Sequence, residues 1–168
     1  LLIKLGALLT DKIDVETYQL HREPKGWFWQ DCSDDFEYII NRPQNMEGKP
    51  APVLSLSDHV SHERITRVIG PDTSIWEVTI KQPHNDFMQS KQQLSLFRKC
   101  IRKLIVEIKN THGDATPLQI FPVMPVSCAV ELGRARMPKA DMPWLIYDHD
   151  IKTQQFVMAV ELRGDLHE

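Results

Sequence analysis

Hydrophobic positions repeat at helical spacing in some segments of the chain and alternate with polar positions in others, which predicts a mixed α/β protein. In residues 90–112 the apolar side chains fall three or four positions apart, and Ser90 with Gln93 forms a capping-box pattern, so a long helix is predicted there. Shorter helices are predicted at residues 1–9, 57–69 and 125–133. The second of these starts at Ser57 and Asp58, which are good N-cap residues.

Short runs of apolar, aromatic and β-branched residues predict the strands. Residues 75–80 (IWEVTI) alternate in strand fashion. The other predicted strands are 15–20, 36–40, 52–56, 118–123, 144–147 and 156–162. Strands and helices follow one another with short connections, which predicts a mainly parallel sheet of the α/β class. Gly70 and Pro71 end one helix just before a strand, so a boundary is predicted between residues 1–73 and residues 74–168.

The composition narrows the class of protein. With 20 Lys and Arg against 23 Asp and Glu and 42% hydrophobic residues, the 168-residue chain is expected to fold and is not a general nucleic-acid-coating protein. No apolar run approaches the roughly 20 residues of a membrane-spanning helix, and no signal peptide is recognisable. Three widely spaced cysteines indicate reduced thiols in a cytosolic protein. The chain begins at Leu1 inside an apolar stretch, which suggests a fragment of something longer.

The best candidate for a binding segment is 121–136 (FPVMPVSCAVELGRAR). A strand ends, Pro122 and Pro125 restrict the turn, and a helix begins with Pro125 at its first position and Ser127 in its first turn. Exposed N–H groups at such a helix start attract anions, and ligands of open α/β sheets lie at the carboxyl ends of strands. The alternative is an ordinary strand-to-helix turn without a ligand.

Two similar junctions lie elsewhere in the chain. The loop 83–91 offers His84, Asn85 and Ser90 as polar contacts, although Asp86 and Ser90 could simply cap the following helix. The junction 54–59 offers Ser57, with the same alternative. Residues 61–112 carry 9 basic and 5 acidic side chains, a balance that suits a small anionic ligand as well as a polymer.

Aromatic and basic residues outside these loops complete the candidates. Trp27 and Trp29 could stack on a base, which is worth about 1–3 kcal/mol per base in single-strand binders, or could be core residues. Arg22 is close to them in sequence, and Lys139 is a flexible cation suited to a phosphate, although a solvated loop lysine is the usual case. The basic outer face of the long helix is predicted to be plain solvent surface.

Enzyme signatures are mostly absent. The chain contains no phosphate-binding GxxxxGK[ST], no dinucleotide-binding GxGxxG and no GxSxG nucleophile elbow. His59 and His62 lie three apart on a predicted helix with the acid Glu63 adjacent, but no third metal ligand is evident. Asp148 and Asp150 in the sequence YDHD could also bind a metal. A solvated helix face and a strand-end loop are the simpler explanations.

Three segments together resemble the SAVED family (SMODS-associated and fused to various effectors). They are PHNDFMQSKQQLSLFRKCIRKL, LQIFPVMPVSCAVELGRARMPKADMPWLIYDHD and FVMAVEL. The upstream segments LLIKLGALL, VETYQLHREPKGWFW and VLSLSDHV are also similar to that family, so the resemblance covers essentially the entire chain.

The resemblance implies a Rossmann-like α/β fold of two fused CARF-like lobes, the first of them incomplete in this chain. It implies a bacterial, cytoplasmic sensor that binds a cyclic di- or trinucleotide made by a CD-NTase enzyme in anti-phage (CBASS) signalling. Ligand binding would drive self-association and activate a fused effector, with an HNH endonuclease favoured and a TIR module as the alternative. This chain itself would have no catalytic residue, no metal or other cofactor, and no membrane partner.

The ligand-binding residues implied by motif position and by the chemistry of the loops come from both predicted lobes. They are Arg22, Trp27, Trp29 and Ser57 from the first, and His84, Asn85, Ser90, Met124, Pro125, Ser127 and Lys139 from the second. Two alternatives stay open: a ring nuclease or metal-dependent hydrolase that uses the histidine or aspartate groups above, and a scaffold lobe that only oligomerises.

Overall fold

The computed structural model describes residues 1–10, 12–31 and 35–164. Within these residues the chain forms four helices and eight strands. The helices are α1 (Leu2–Leu9), α2 (His62–Ile69), α3 (Lys91–His112) and α4 (Val126–Ala135). The strands are β1 (Gln19–His21), β2 (Gly26–Phe28), β3 (Ile39–Asn41), β4 (Lys49–Ser55), β5 (Thr73–Thr79), β6 (Leu118–Val123), β7 (Trp144–Asp150) and β8 (Gln155–Leu162).

Six of the described strands form one main sheet in the order β3-β5-β4-β6-β7-β8. The four central strands are parallel, whereas the outer strands β3 and β8 run antiparallel to β5 and β7. Strands β1 and β2 pair with each other as a separate antiparallel hairpin. The predicted α/β class with a mainly parallel sheet is therefore confirmed.

Strand β4 lies inside the main sheet although it contains Pro50 and Pro52. Proline has no N–H to donate to a neighbouring strand and is normally kept out of central strands. Strand β4 pairs with β5 along its whole length, but β6 joins it only from Val53 to Ser55. Among the described strands, both prolines thus lie where β4 has a partner on one side only, which is where proline is tolerated.

Helices cover both faces of the main sheet. Helices α1, α3 and α4 pack on one face over the larger core, which includes the fully buried Trp76, Phe97 and Trp144. Helix α2 packs on the other face over a smaller core, where the rings of Phe121 and Tyr147 stack with centroids 4.4 Å apart. No helix in the described ranges is both long enough and apolar enough to span a membrane.

Helices α1 and α4 touch backbone to backbone. A Cβ atom on Gly133 of α4 would lie 2.0 Å from Ile3 O. A Cβ atom on Gly6 of α1 would lie 2.0 Å from Val130 O. The close approach therefore requires glycine at both positions. The next residue, Arg134, donates to three carbonyl oxygens in the segment after α1: Thr10 O at 3.1 Å, Ile13 O at 3.0 Å and Val15 O at 2.9 Å.

The basic outer face of α3 is not plain solvent surface, which corrects the prediction. Arg102 Nη1 donates to Asp141 Oδ2 at 2.7 Å, and Arg98 Nη1 pairs with Glu131 Oε1 at 3.1 Å. Long basic side chains can reach across to neighbouring elements, and here they connect α3 to α4 and to the loop before β7. The helical spacing correctly located the face but did not show what lies beside it.

Two helix starts differ from their predictions. Ser61, not Ser57, precedes the first residue of α2, and Asp58 Oδ1 accepts the backbone N–H of His59 at 2.8 Å. Such a local hydrogen bond satisfies the aspartate outside the helix and competes with a helix start. In α4, Pro125 is the N-cap residue rather than the first helical residue.

The N-terminal strands are shorter than predicted. Of the predicted strand 15–20, only its end belongs to a strand, β1 (Gln19–His21). The predicted strand 36–40 overlaps β3 (Ile39–Asn41) by two residues, and β2 (Gly26–Phe28) was not predicted. Three-residue strands are too short for a reliable alternation pattern. The YDHD segment was expected to be a strand-end loop, but β7 continues through it to Asp150 and pairs with β8.

The predicted boundary between residues 73 and 74 falls at the start of β5. This strand lies between β3 and β4, which both come from the range 1–73. Strands of both ranges therefore share the main sheet, and the division into two lobes stays a prediction.

Candidate functional site

The loops that follow β4, β5 and β6 meet at one edge of the main sheet. These strands are parallel neighbours, so their carboxyl ends lie side by side. Val123 O accepts the backbone N–H groups of Leu56 and Ser57, both at 2.9 Å. Leu56 O in turn accepts the N–H of His84 at 3.1 Å. Backbone hydrogen bonds therefore hold the three loops against one another.

The strand order reverses at β4, which opens a crevice at this edge. From β4 the chain passes through α2 to β5 on one side, and then through α3 to β6 on the other side of β4. Helix α2 follows β4 and α4 follows β6, and these two helices cover opposite faces of the sheet. The chain therefore diverges beyond the hydrogen-bonded residues of the two loops. Open α/β sheets bind ligands in the crevice at such a reversal.

The β1–β2 hairpin forms the outer wall of this crevice. Leu20 and Trp27 are directly opposite each other in its register and therefore share one face. Trp27 is 62% exposed. The hairpin is tied to the first turn of α4 by a buried hydrogen bond, in which Ser127 Oγ donates to Gln19 Oε1 at 2.7 Å. An aromatic face is thus held open to solvent on a fixed support.

The hairpin and the loops enclose a cleft of about 560 Å³. This volume lies within the roughly 300–1,000 Å³ that is typical of small-molecule sites. Of the residues predicted to bind a ligand, the cleft is lined by Arg22, Trp27, Ser57, Asn85, Met124 and Pro125. Its other lining residues were not among those predicted: Gln19, Leu20, His21, Lys25, Asp86 and Val126.

Arg22 stands apart from the other arginines of the chain. All nine lie in the described ranges, and eight make a hydrogen bond, an ion pair or a ring contact there. Arg22 makes none with a described residue, and neither does Lys25 in the same hairpin turn. The hairpin therefore brings two positive charges without a protein counter-ion to the cleft.

The start of α4 adds further capacity for an anion. Pro125 is the N-cap residue, no side chain caps the helix, and Val126 at its first position lines the cleft. The N–H groups of a first helical turn have no partner within the helix, and the helix dipole favours negative charge beside them.

Trp29 and Ser90 lie outside this cleft. Trp29 packs against the larger core, and its Nε1 donates to Thr17 O at 2.9 Å. Ser90 is buried as the N-cap of α3, where its Oγ accepts the N–H of Gln93 at 3.2 Å and its own N–H donates to Gln93 Oε1 at 3.0 Å. Both residues border a neighbouring cavity of about 470 Å³. Their interactions match the structural alternatives considered for them.

Ser127 and His84 contribute differently from what their loops suggested. Ser127 is 1% exposed, and its hydroxyl is committed to Gln19, so it supports the hairpin beneath the cleft. His84 is exposed and lies beside Phe87, with ring centroids 6.3 Å apart, but it does not line the cleft.

Lys139 lies at the opposite end of the sheet. It is in the loop between α4 and β7, and such a loop returns the chain to the amino ends of parallel strands. Pro143 O in this loop accepts the N–H of Leu118, the first residue of β6. Lys109 Nζ, near the end of α3, donates to Ala140 O at 2.7 Å. The motif that contains Lys139 thus lies away from the cleft, because the intervening helix spans the sheet.

The unpredicted lining residues come mostly from the hairpin. A polar turn, HREPKG, separates the apolar Leu20 from Trp27, and a polar turn between two apolar positions is a hairpin signal. That signal would have suggested that Arg22 and Lys25 share the tip. The sequence offered no indication that the hairpin leaves the main sheet and packs on α4.

The residues considered for a hydrolase do not form a recognisable centre. His59, His62 and Glu63 are exposed, and Asp150 accepts hydrogen bonds from Lys152 and Thr153 in its own turn. Among the described residues no group of three or more His, Cys, Asp or Glu side chains is placed to hold a metal ion. Burial raises the pKa of the Cys100 thiol to about 11 and also raises the pKa of Cys128, so neither thiol is ionised at neutral pH.

The sequence matches one protein family over nearly its whole length. Residues 1–162 match SAVED, described as the SMODS-associated and fused to various effectors sensor domain. No curated protein matches the chain.

The fold is similar to solved structures of the Cap4 SAVED/CARF-domain containing receptor of Acinetobacter baumannii. The complex with the cyclic trinucleotide 2'3'3'-cAAA has a TM-score of 0.66 and 13% sequence identity. The complex with 3'3'3'-cAAA has a TM-score of 0.65 and 16% identity, and a third structure of the receptor has 0.61 and 15%. In each case 96% of this chain is covered, but only 36%, 36% and 33% of the matched chain, so this chain spans about a third of their length.

Proposed function

Because the chain belongs to the SAVED family of sensor domains, we propose that its cleft binds a cyclic oligonucleotide and that the protein is a receptor for such a second messenger. The ligand would be a cyclic di- or trinucleotide. The observation that carries this proposal is the pair of unpartnered cations, Arg22 and Lys25, beside the exposed indole of Trp27 at a sheet crevice.

Each part of a cyclic nucleotide has a counterpart in the cleft. Phosphates carry negative charge and would be held by Arg22, Lys25 and the uncapped start of α4. A base has an apolar face and would stack on Trp27, with Met124 and Leu20 as further apolar surface. Ser57 and Asn85 supply neutral polar groups that can donate to or accept from a base or a sugar.

We propose that the protein acts by activating a fused effector in bacterial anti-phage (CBASS) signalling. The family description, which names fusion to various effectors, supports this role. An HNH endonuclease is the favoured effector, and a TIR module is the alternative. Binding can switch an effector only if the ligand favours one arrangement of the protein over another. Self-association of ligand-bound copies would provide that difference.

Calorimetric titration of this chain with cyclic di- and trinucleotides tests the binding. At least one ring is expected to bind, and replacement of Arg22 in R22A is expected to weaken its affinity by about tenfold or more, because a charge-assisted hydrogen bond is lost.

The matched control is R67A. Arg67 is an exposed arginine on α2 whose partner is Glu63, on the face of the sheet away from α4. It is expected to leave the affinity unchanged. Absence of binding by every ring, or equal weakening by R22A and R67A, would contradict the proposal.

The hydrolase alternative has no positive observation among the described residues. Incubation of the bound ring with the protein, followed by chromatography, separates the two functions. A sensor leaves the ring intact, whereas linear products would support a ring nuclease.

A further inference from the structure

Asp86 is the one carboxylate among the described residues that line the cleft. It lies in the loop between β5 and α3 and is half-buried. The loop is fixed on both sides of it: the N–H of His84 donates to Leu56 O at 3.1 Å, and Phe87 and Met88 are buried in the larger core. Asp86 is therefore held in place by its backbone.

The structural role considered for Asp86 is performed by another residue. Helix α3 begins after Ser90, which exchanges hydrogen bonds with Gln93 in a complete capping box. The carboxylate of Asp86 makes no hydrogen bond or ion pair with any described residue. An ionised carboxylate without a partner is costly to desolvate, and a ligand that donates hydrogen bonds would compensate it.

The charges of the cleft are separated. Arg22 and Lys25 belong to the hairpin turn, whereas Asp86 belongs to the loop after β5. Neither cation forms an ion pair with Asp86 in the described structure. A phosphate is attracted to the hairpin and repelled by Asp86, so the part of a ligand that approaches Asp86 has to be a hydrogen-bond donor.

We infer that Asp86 determines base specificity and that the cleft selects a cyclic oligonucleotide containing guanine. The inference rests on the proposed function. Guanine presents two adjacent donors, N1–H and N2–H, to the two oxygens of a carboxylate. Adenine presents one donor at N6 beside the acceptor N1, and cytosine one donor at N4 beside the acceptor N3. For these two bases a carboxylate gains one hydrogen bond and faces a lone pair.

Titration with rings that differ only in their bases tests the inference. The probes are the cyclic trinucleotides of three adenosines, of three guanosines, and of two adenosines with one guanosine, and the cyclic dinucleotides of two adenosines and of two guanosines. Within each ring size, the guanine-containing ring is expected to bind about tenfold to a hundredfold more tightly.

The variant D86N provides a readout that a structural role would not change. An asparagine amide donates at Nδ2 and accepts at Oδ1. Against guanine, the Nδ2 donor would face one of the two guanine donors. Against adenine, Nδ2 would donate to N1 and Oδ1 would accept from N6. D86N is therefore expected to weaken guanine rings and strengthen adenine rings. The control D72N changes an exposed aspartate just before β5, at the other end of that strand, and is expected to change neither affinity.

The possible failures are distinguishable. If no ring binds the unmodified chain, the proposed function is wrong. If rings bind but adenine and guanine rings bind equally, or if D86N weakens both to the same extent, the proposed function stands and the role of Asp86 is refuted.

Discussion

At the scale of single residues, the cleft differs from the rest of the protein in what its polar side chains contact. Elsewhere several arginines tie elements together, as Arg134 does with three carbonyl oxygens and Arg102 with Asp141. In the cleft, Arg22 and Asp86 have no such partners among the described residues. Because unpartnered charges add little to the stability of the fold, these side chains are available for a ligand.

His112 provides a test of stability that is independent of the cleft. Trp76 Nε1 donates to His112 Nε2 at 3.2 Å, so this nitrogen has to carry a lone pair and the ring has to be neutral. Burial lowers the pKa of His112 in the folded state below its ordinary value of 6.5. The stability that depends on the neutral ring is therefore present above about pH 6.5 and is lost as the pH falls through the lowered pKa.

We expect the urea concentration at the unfolding midpoint to be lower at pH 5 than at pH 8, and we expect this difference to be smaller in H112Q. Glutamine can accept the indole N–H but does not titrate. The control H62Q replaces an exposed histidine on α2 and should retain the full pH dependence. Identical pH dependence in H112Q and the unmodified chain would show that His112 does not contribute.

At the scale of secondary-structure elements, α4 is the part on which the site depends. Its first turn borders the cleft and supports the hairpin through Ser127, while its later residues hold α1 through Gly133. A glycine inside a helix costs about 1 kcal/mol relative to alanine, so its presence here requires a compensating contact. The contact is the backbone of α1, which a larger residue would displace.

We therefore expect G133A to be destabilising, by about 1–3 kcal/mol, although alanine is the better helix former. The added Cβ would lie 2.0 Å from Ile3 O, and a backbone atom cannot yield as a flexible side chain can. Chemical denaturation of G133A measures the change. The control N110A places alanine at an exposed position of α3 and should be neutral or slightly stabilising. A G133A protein as stable as the unmodified chain would mean that α1 can move away at little cost.

At the scale of the whole molecule, one sheet connects the two predicted lobes. Strand β5 lies between β3 and β4, and β4 also pairs with β6. Removing either range would leave unpaired strands and an exposed core. We therefore expect the chain to unfold in a single transition, as small domains with a continuous core usually do.

Circular dichroism and tryptophan fluorescence should give coincident urea curves, because the core that contains Trp76 and Trp144 from the range 74–168 also contains Leu54 and Leu56 from the range 1–73. A bound ring should raise the urea midpoint, because a free ligand at one hundred times its Kd increases the free energy of unfolding by about 2.7 kcal/mol. Two separate transitions would instead support two lobes that fold independently.

The sequence by itself determined the elements of the central sheet and its class. Long or strongly patterned segments such as α3 with its capping box, β5 and β6 were predicted correctly, because periodicity and capping are local properties. It also identified the resemblance to the SAVED family. It predicted the loops after β4, β5 and β6 as the place for a ligand, since ligands of parallel sheets lie at the carboxyl ends of strands.

Only the tertiary structure decided which side chains face the cleft. Ser90 and Ser127 are the right chemical type, but the first caps a helix and the second supports the hairpin. Lys139 lies at the far end of the sheet because α4 carries the chain back to the amino ends of the strands. Asp86 lines the cleft, whereas Ser90 in the same loop caps α3. Whether a polar side chain meets a ligand or a neighbour depends on contacts between residues far apart in the chain, which a local pattern does not contain.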